Sequence, residues 1–189
     1  MILSIYGYGQ PVLKKVAESI DKDYPELETL LGNMWETMYN AKGIGLAAPQ
    51  IGKSIRIFLV DTVQIEDEEN PDFKGIKKAL INAEIIEENG KEASMEEGCL
   101  SIPDVRGDVS RPPIVRIKYQ NEKFESFDEI FTGMNARVIQ HEYDHIEGVL
   151  FTEKLKPLKR TLIKRKLDNI KKGKAKAEYK MKFADNRRR

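Results

Sequence analysis

Both histidines of this 189-residue chain lie within one five-residue stretch, His141-Glu142-Tyr143-Asp144-His145. On a helix, a step of four residues turns by roughly 400°, so the two imidazoles reach nearly the same face and can share one metal ion. Glu142 falls about 60° from His145, where its carboxylate can take a proton from water without being forced to ligate. The stretch therefore calls for a helix whose His face meets a third ligand while a position stays open for substrate. A charged helix with two surface histidines is the plainer alternative, but random placement seldom puts both histidines of a chain at ligand spacing.

Two kinds of third ligand compete. In common zinc proteases it is a Glu or His soon after the pair, which here leaves Glu147 and Glu153. Glu147 stands two residues beyond His145 and faces away from the pair on a continuing helix. The other candidate is the sole cysteine, in Glu96-Glu97-Gly98-Cys99-Leu100-Ser101, where Gly98 and the following Pro103 suggest a turn or strand end. A lone cysteine cannot make an intramolecular disulfide, so Cys99 is either a small buried apolar residue or a chemical group. A third element, Gly43-Ile44-Gly45-Leu46-Ala47-Ala48-Pro49-Gln50, has side chains small enough to run close to another surface or a ligand. It follows no predicted strand and lacks a third glycine at dinucleotide spacing, which excludes a nucleotide fingerprint. Its plain reading is a helix-ending loop.

Apolar residues at three- and four-residue intervals over 25–41, behind Asp23 as a cap, predict an amphipathic helix. Ile55–Val60, Ala79–Ile86 and Val115–Tyr119 are short, branched and apolar or alternating, so the middle of the chain is mostly strand. A second helix follows Gly133 over 134–147. A third, with Pro157 in its first turn and Gly173 at its end, turns Leu158, Leu162, Ile163, Leu167 and Ile170 inward. Helix, strands, helix, helix without βαβ alternation predicts an α+β fold, with antiparallel sheets packed around the central His-bearing helix and a C-terminal helix. The length suits a single core. The acidic stretch 66–75 reads as an exposed loop.

Charge is distributed unevenly. Residues 1–153 carry 16 Lys and Arg against 28 Asp and Glu, whereas 154–189 carry 16 against 3. An acidic body with a strongly basic end points to an attachment device for nucleic acid or another acidic surface. Beyond Gly173, Ala175, Ala177, Tyr179, Met181 and Phe183 alternate with charged residues, a strand-like pattern suited to a sheet edge. The amino terminus lacks a signal-peptide pattern and no stretch reaches membrane-spanning length, so a soluble, cytoplasmic protein is expected.

Taken together and in order, GIGLAAPQ, EGCLS and HEYDH resemble the three signature segments of the peptide deformylase family, with weaker similarity from about residue 3 to residue 170. The acidic stretch near 66–75 and the basic end depart from a minimal member. The resemblance implies a catalytic domain over 1–173 with a basic extension over 174–189. It implies removal of the formyl group from the formyl-methionine of nascent peptides, with release of formate. It carries over Cys99, His141 and His145 as ligands, Glu142 as acid and base, and Gln50 with the Leu100 backbone N–H as oxyanion donors. Ile44, Met134 and Val138 are expected to line the methionine pocket, Gly45 and Glu97 to pair with substrate backbone, and Arg106 to assist at the rim. A thiolate with two imidazoles suits Zn²⁺ and also accepts Fe²⁺, Ni²⁺ and Co²⁺. The resemblance favours Fe²⁺. Because the substrate is a chain still being made, the basic end is expected to dock on ribosomal RNA near the tunnel exit, with no membrane involved. The rival readings are a zinc endopeptidase that uses a downstream carboxylate and leaves Cys99 dispensable, and a non-catalytic binding module of the same fold.

Overall fold

The structure, a computed structural model, describes residues 1–66 and 72–185. Residues 67–71 of the expected acidic loop and the last four residues lie outside the described residues. Among the described residues are three helices, α1 (Leu27–Asn40), α2 (Gly133–Ile146) and α3 (Pro157–Lys171). The strands are β1 (Ile5–Tyr6), β2 (Gly45–Ala47), β3 (Ile57–Asp61), β4 (Lys77–Asn89), β5 (Ala93–Cys99), β6 (Ile102–Arg111), β7 (Ile114–Gln120), β8 (Ser126–Thr132) and β9 (Met181–Lys182).

β2-β3-β4-β7-β8 form one antiparallel sheet and β5-β6 a separate antiparallel hairpin. The expected α+β arrangement holds, with one parallel ladder added where β9 runs beside β1. Every residue of β3 is buried, because helices cover both faces of the sheet there. Phe58 and Val60 face α2 through Ala136, Val138, Ile139 and Ile146. Ile57 and Leu59 face α1 through Leu30, Leu31, Met34 and Met38. The alternating side-chain directions of a strand thus build two cores from consecutive residues. A third core joins Ile102, Val105 and Val109 of β6 to Leu150, Phe151, Leu155, Ile163 and Ile170.

Two sequence expectations need correction. Asp23 does not cap α1: Glu26, at φ 55°, stands at the cap position, and the Asp23 N–H donates to Asp21 Oδ1 within a preceding turn. Nor does α3 turn all five apolar residues inward. Ile163 and Ile170 are buried and Leu167 packs against them, but Leu158 and Leu162 are 73% and 69% exposed. At about 100° per residue, Leu162 sits a quarter turn and Leu158 more than a third of a turn from the Ile163–Leu167–Ile170 strip.

Candidate metal centre and cleft

Helix α2 brings His141 and His145 to one face, and Cys99, the last residue of β5, arrives opposite them. One ligand atom from each of the three lies within 4.8 Å of the others. Cys99 Sγ is 3.2 Å from His145 Nε2. Two ligands of one tetrahedral ion, at bonds of ~2.3 and ~2.0 Å, stand roughly 3.5 Å apart, so the spacing fits a shared metal.

The His141 ring is oriented from behind. Glu97 Oε2 accepts from His141 Nδ1 at 2.9 Å, leaving Nε2 of that ring for the site. Glu97 is itself gripped by Arg111, through Nε at 2.7 Å and Nη2 at 2.9 Å, and by Arg137 Nη1 at 3.0 Å. Arg111 also donates to Asp144 Oδ2 at 2.8 Å, and Arg137 to the Val109 and Ala93 carbonyls. Burial pushes the Glu97 carboxyl upward, but its bonds to Arg111 and His141 outweigh this and hold it well below the usual carboxylate range. Burial also drives His145 well below its ordinary pKa, which keeps the imidazole neutral and able to ligate.

Glu142 is buried beside the pair, and its Oε2 has no hydrogen-bond partner among the described residues. Burial pushes its carboxyl up to about 7, against the lowering influence of His141. The orphaned Oε2 is a buried carboxylate oxygen beside two imidazoles and a cysteine sulfur, free to accept a hydrogen bond or a proton. Gly45 makes room for it, since a Cβ there would come within 2.3 Å of Glu142 Oε1. Gln50 is fixed by accepting the Ala47 N–H at 2.8 Å, and its Nε2 points to Cys99 Sγ and Ser101 Oγ at 3.4 and 3.3 Å.

A cavity of about 830 Å³ opens beside these groups, lined among others by Ile44, Gly45, Gln50, Glu97, Leu100, Arg106, Met134, Val138 and Glu142. Met134, Val138, His141 and His145 follow one another at three- and four-residue steps, so a single helix face carries both the lining and the ligands. The structure therefore brings the expected site residues to one cleft, except that His145 is buried beside Cys99 instead of lining the cavity. The Glu97 side chain, however, is spent on Arg111, Arg137 and His141, which leaves only its backbone, on β5, to meet a substrate. Arg106 stands at the rim, 70% exposed and 3.8 Å from Glu96. Glu147 and Glu153, the alternative ligands, are paired with Arg56 and Lys14 instead.

Sequence reasoning missed the support behind the ligands, Arg111, Arg137 and Asp144, and the tail residues 176–179 that also line the cleft. The available signal was Arg111 at an inward position of β6, where alternation from Val105 through Val109 leads an apolar side chain to be expected.

A His-Glu-x-x-His helix that meets a cysteine sulfur and opens on a peptide-sized cleft has the arrangement of a hydrolase that works through a metal centre. The sequence model described as polypeptide deformylase matches residues 2–161, and the chain belongs to that family. It is 56% identical to a peptide deformylase of Christiangramia forsetii over 97% of this chain and 96% of that one. It is 57% identical to one of Flavobacterium johnsoniae over 97% of each. Among solved structures, a peptide deformylase from Legionella pneumophila superposes with a TM-score of 0.80 at 37% identity, covering 93% of this chain and 99% of that one.

Proposed function

We propose that residues 1–173 form a catalytic body in which Cys99, His141 and His145 hold a divalent metal, Fe²⁺ in the cell, and Glu142 is the acid and base. As a member of its family the chain removes the N-terminal formyl group from nascent peptides. The observation that carries the assignment of roles is the unpartnered, buried Glu142 carboxylate beside three convergent ligand atoms. A metal held there supplies a Lewis acid and lowers the pKa of water toward ~7.

The residues divide the rest of the work. Glu142 accepts a proton from the attacking water at its free Oε2 and passes it to the amide nitrogen, which departs as an amine while the formyl carbon leaves as formate. Gln50 Nε2 and the Leu100 N–H donate to the oxygen that becomes negative, and loss of one such donor typically costs ~3 kcal/mol. Ile44, Met134 and Val138 receive the methionine side chain, and Arg106 assists at the rim. β2 is an edge of the large sheet and β5 belongs to a two-stranded hairpin, so Gly45 and Glu97 offer backbone groups to an extended peptide between them. The formyl carbon bears only hydrogen, so a tight wall excludes larger acyl groups by clash.

Metal analysis of anaerobically purified protein, combined with formate release from formyl-Met peptides, tests this reading. Stoichiometric iron and formate release in proportion to it are expected. An enzyme equally durable in air with iron or nickel would remove the support for iron, since a ferrous centre beside a thiolate is open to oxidation.

The same reading places the enzyme in the cytoplasm, at the ribosomal tunnel exit, docked on RNA through its basic end. Lys159, Arg160, Lys164, Arg165, Lys171 and Lys172 are all exposed on or just beyond α3. None of the described helices is long and apolar enough to cross a membrane. Co-sedimentation with ribosomes is expected to fall roughly linearly on a log–log plot against salt. Salt-insensitive sedimentation would contradict it.

A further inference from the structure

The carboxy-terminal tail reaches the cleft. Lys176, Ala177, Glu178 and Tyr179 line it together with Gly43–Gly45, Cys99 and Leu100, although they lie beyond the stretch that the family model matches. The segment is anchored on both sides. Downstream, Met181 and Lys182 pair with Ile5 and Tyr6, the Ile5 N–H donates to the Lys180 carbonyl at 2.8 Å, and Gln10 Nε2 donates to the Phe183 carbonyl at 2.8 Å. Upstream, Ala175 packs against the third core, as does Phe183. Between these anchors Tyr179 lays its ring on the second core and donates its hydroxyl to the Leu100 carbonyl at 2.7 Å.

Leu100 and Ser101 make the two-residue turn between β5 and β6. Three separate parts of the chain hold that turn. The Ser101 carbonyl accepts from the Tyr8 N–H at 2.9 Å, the Ser101 hydroxyl accepts from Gln50 Nε2 at 3.3 Å, and the Leu100 carbonyl accepts from Tyr179. The N–H and carbonyl of Leu100 belong to adjacent peptide planes hinged at one Cα. Cys99 fixes one plane through its place at the end of β5, and Tyr179 fixes the other.

We propose that Tyr179 is a positioning residue for deformylation, aiming the Leu100 N–H by locking the Leu100 carbonyl. This rests on the reading of that N–H as an oxyanion donor. Such a donor works only when held within about 0.5 Å and 10–20° of the productive direction. The tail thereby serves the chemistry from outside the three signature segments.

The test compares Tyr179→Phe and Tyr179→Leu in the full-length, metal-loaded enzyme, with kcat and KM on formyl-Met-Ala, metal per chain and Tm measured together. Loss of the hydroxyl is expected to lower kcat about tenfold in both variants, part of the ~100-fold or more that a whole donor supplies. KM should stay within about twofold, and Tyr179→Phe should keep full metal and a Tm close to wild type. Wild-type kcat in Tyr179→Phe alongside a low value in Tyr179→Leu would overturn the proposal, because the ring would then only be packing. A fall in kcat no larger than the fall in metal content would overturn it too. A wild-type enzyme that released no formate would overturn the underlying reading and this inference with it.

Discussion

The charges behind the metal centre and those at the mouth of the cleft behave as opposites. Glu97, Arg111 and Arg137 are almost fully buried and share at least four hydrogen bonds among themselves and His141. Lys42 and Glu178 meet at 2.9 Å across the cleft, yet their side chains are 82% and 84% exposed. Both are ion pairs on paper. Removing one partner of the first leaves an uncompensated buried charge, whereas water and salt screen the second. Distance alone therefore says little about what an ion pair contributes, and the enzyme keeps its expensive charges where the angle of an imidazole matters.

The sharpest way to break this comparison is Glu97→Ala. It is expected to destabilise the fold by ~3–5 kcal/mol, the cost of stranding a buried partner, and to weaken metal binding by ~10–100-fold through the freed His141 ring. Chemical denaturation and metal titration read the two effects separately, and a Glu97→Ala enzyme of wild-type metal affinity would show that the carboxylate does not orient His141. The apolar counterpart of the same contrast lies on α3. Ile163→Ala is expected to cost ~2–4 kcal/mol as a buried truncation, while Leu162→Ala, one residue away but exposed, should stay within ~0.5 kcal/mol. Equal losses would mean that Leu162 is covered in solution. The smallest expected effect is that of Lys42→Ala, with no measurable change in Tm at physiological salt. A drop of several degrees would show that the clasp across the cleft is stronger than its exposure implies.

Little of this contrast was legible in the sequence, although much of the fold and of the candidate site was, and the limits have physical causes. The convergence of Cys99, His141 and His145 was readable because both histidines and the only cysteine fall in short segments of definite local geometry. The strands of the large sheet were readable where branched apolar residues run together, as at Ile57–Val60. β5 and β8 were harder, since β5 carries Glu96, Glu97 and Gly98 and β8 sets Asp128 and Glu129 between Phe127 and Ile130. In β6 the inward positions include Gly107 and Arg111, which break the apolar alternation that marks a strand. The alternation of residues 175–183 marks the half-buried side chains of the tail, but only Met181–Lys182 of the expected strand pair with a sheet edge. It could not reveal that Tyr179 ends on the Leu100 carbonyl, because that bond closes over 79 residues of chain.

The division of labour between ligands and base is tested most directly by measuring metal per chain and turnover on the same preparations of Glu142→Ala and Cys99→Ala. The account predicts that Glu142→Ala keeps its metal and loses at least ~100-fold in formate release, while Cys99→Ala loses both. Metal loss from Glu142→Ala in proportion to its activity, or a Cys99→Ala enzyme with full metal and near-normal turnover, would contradict it.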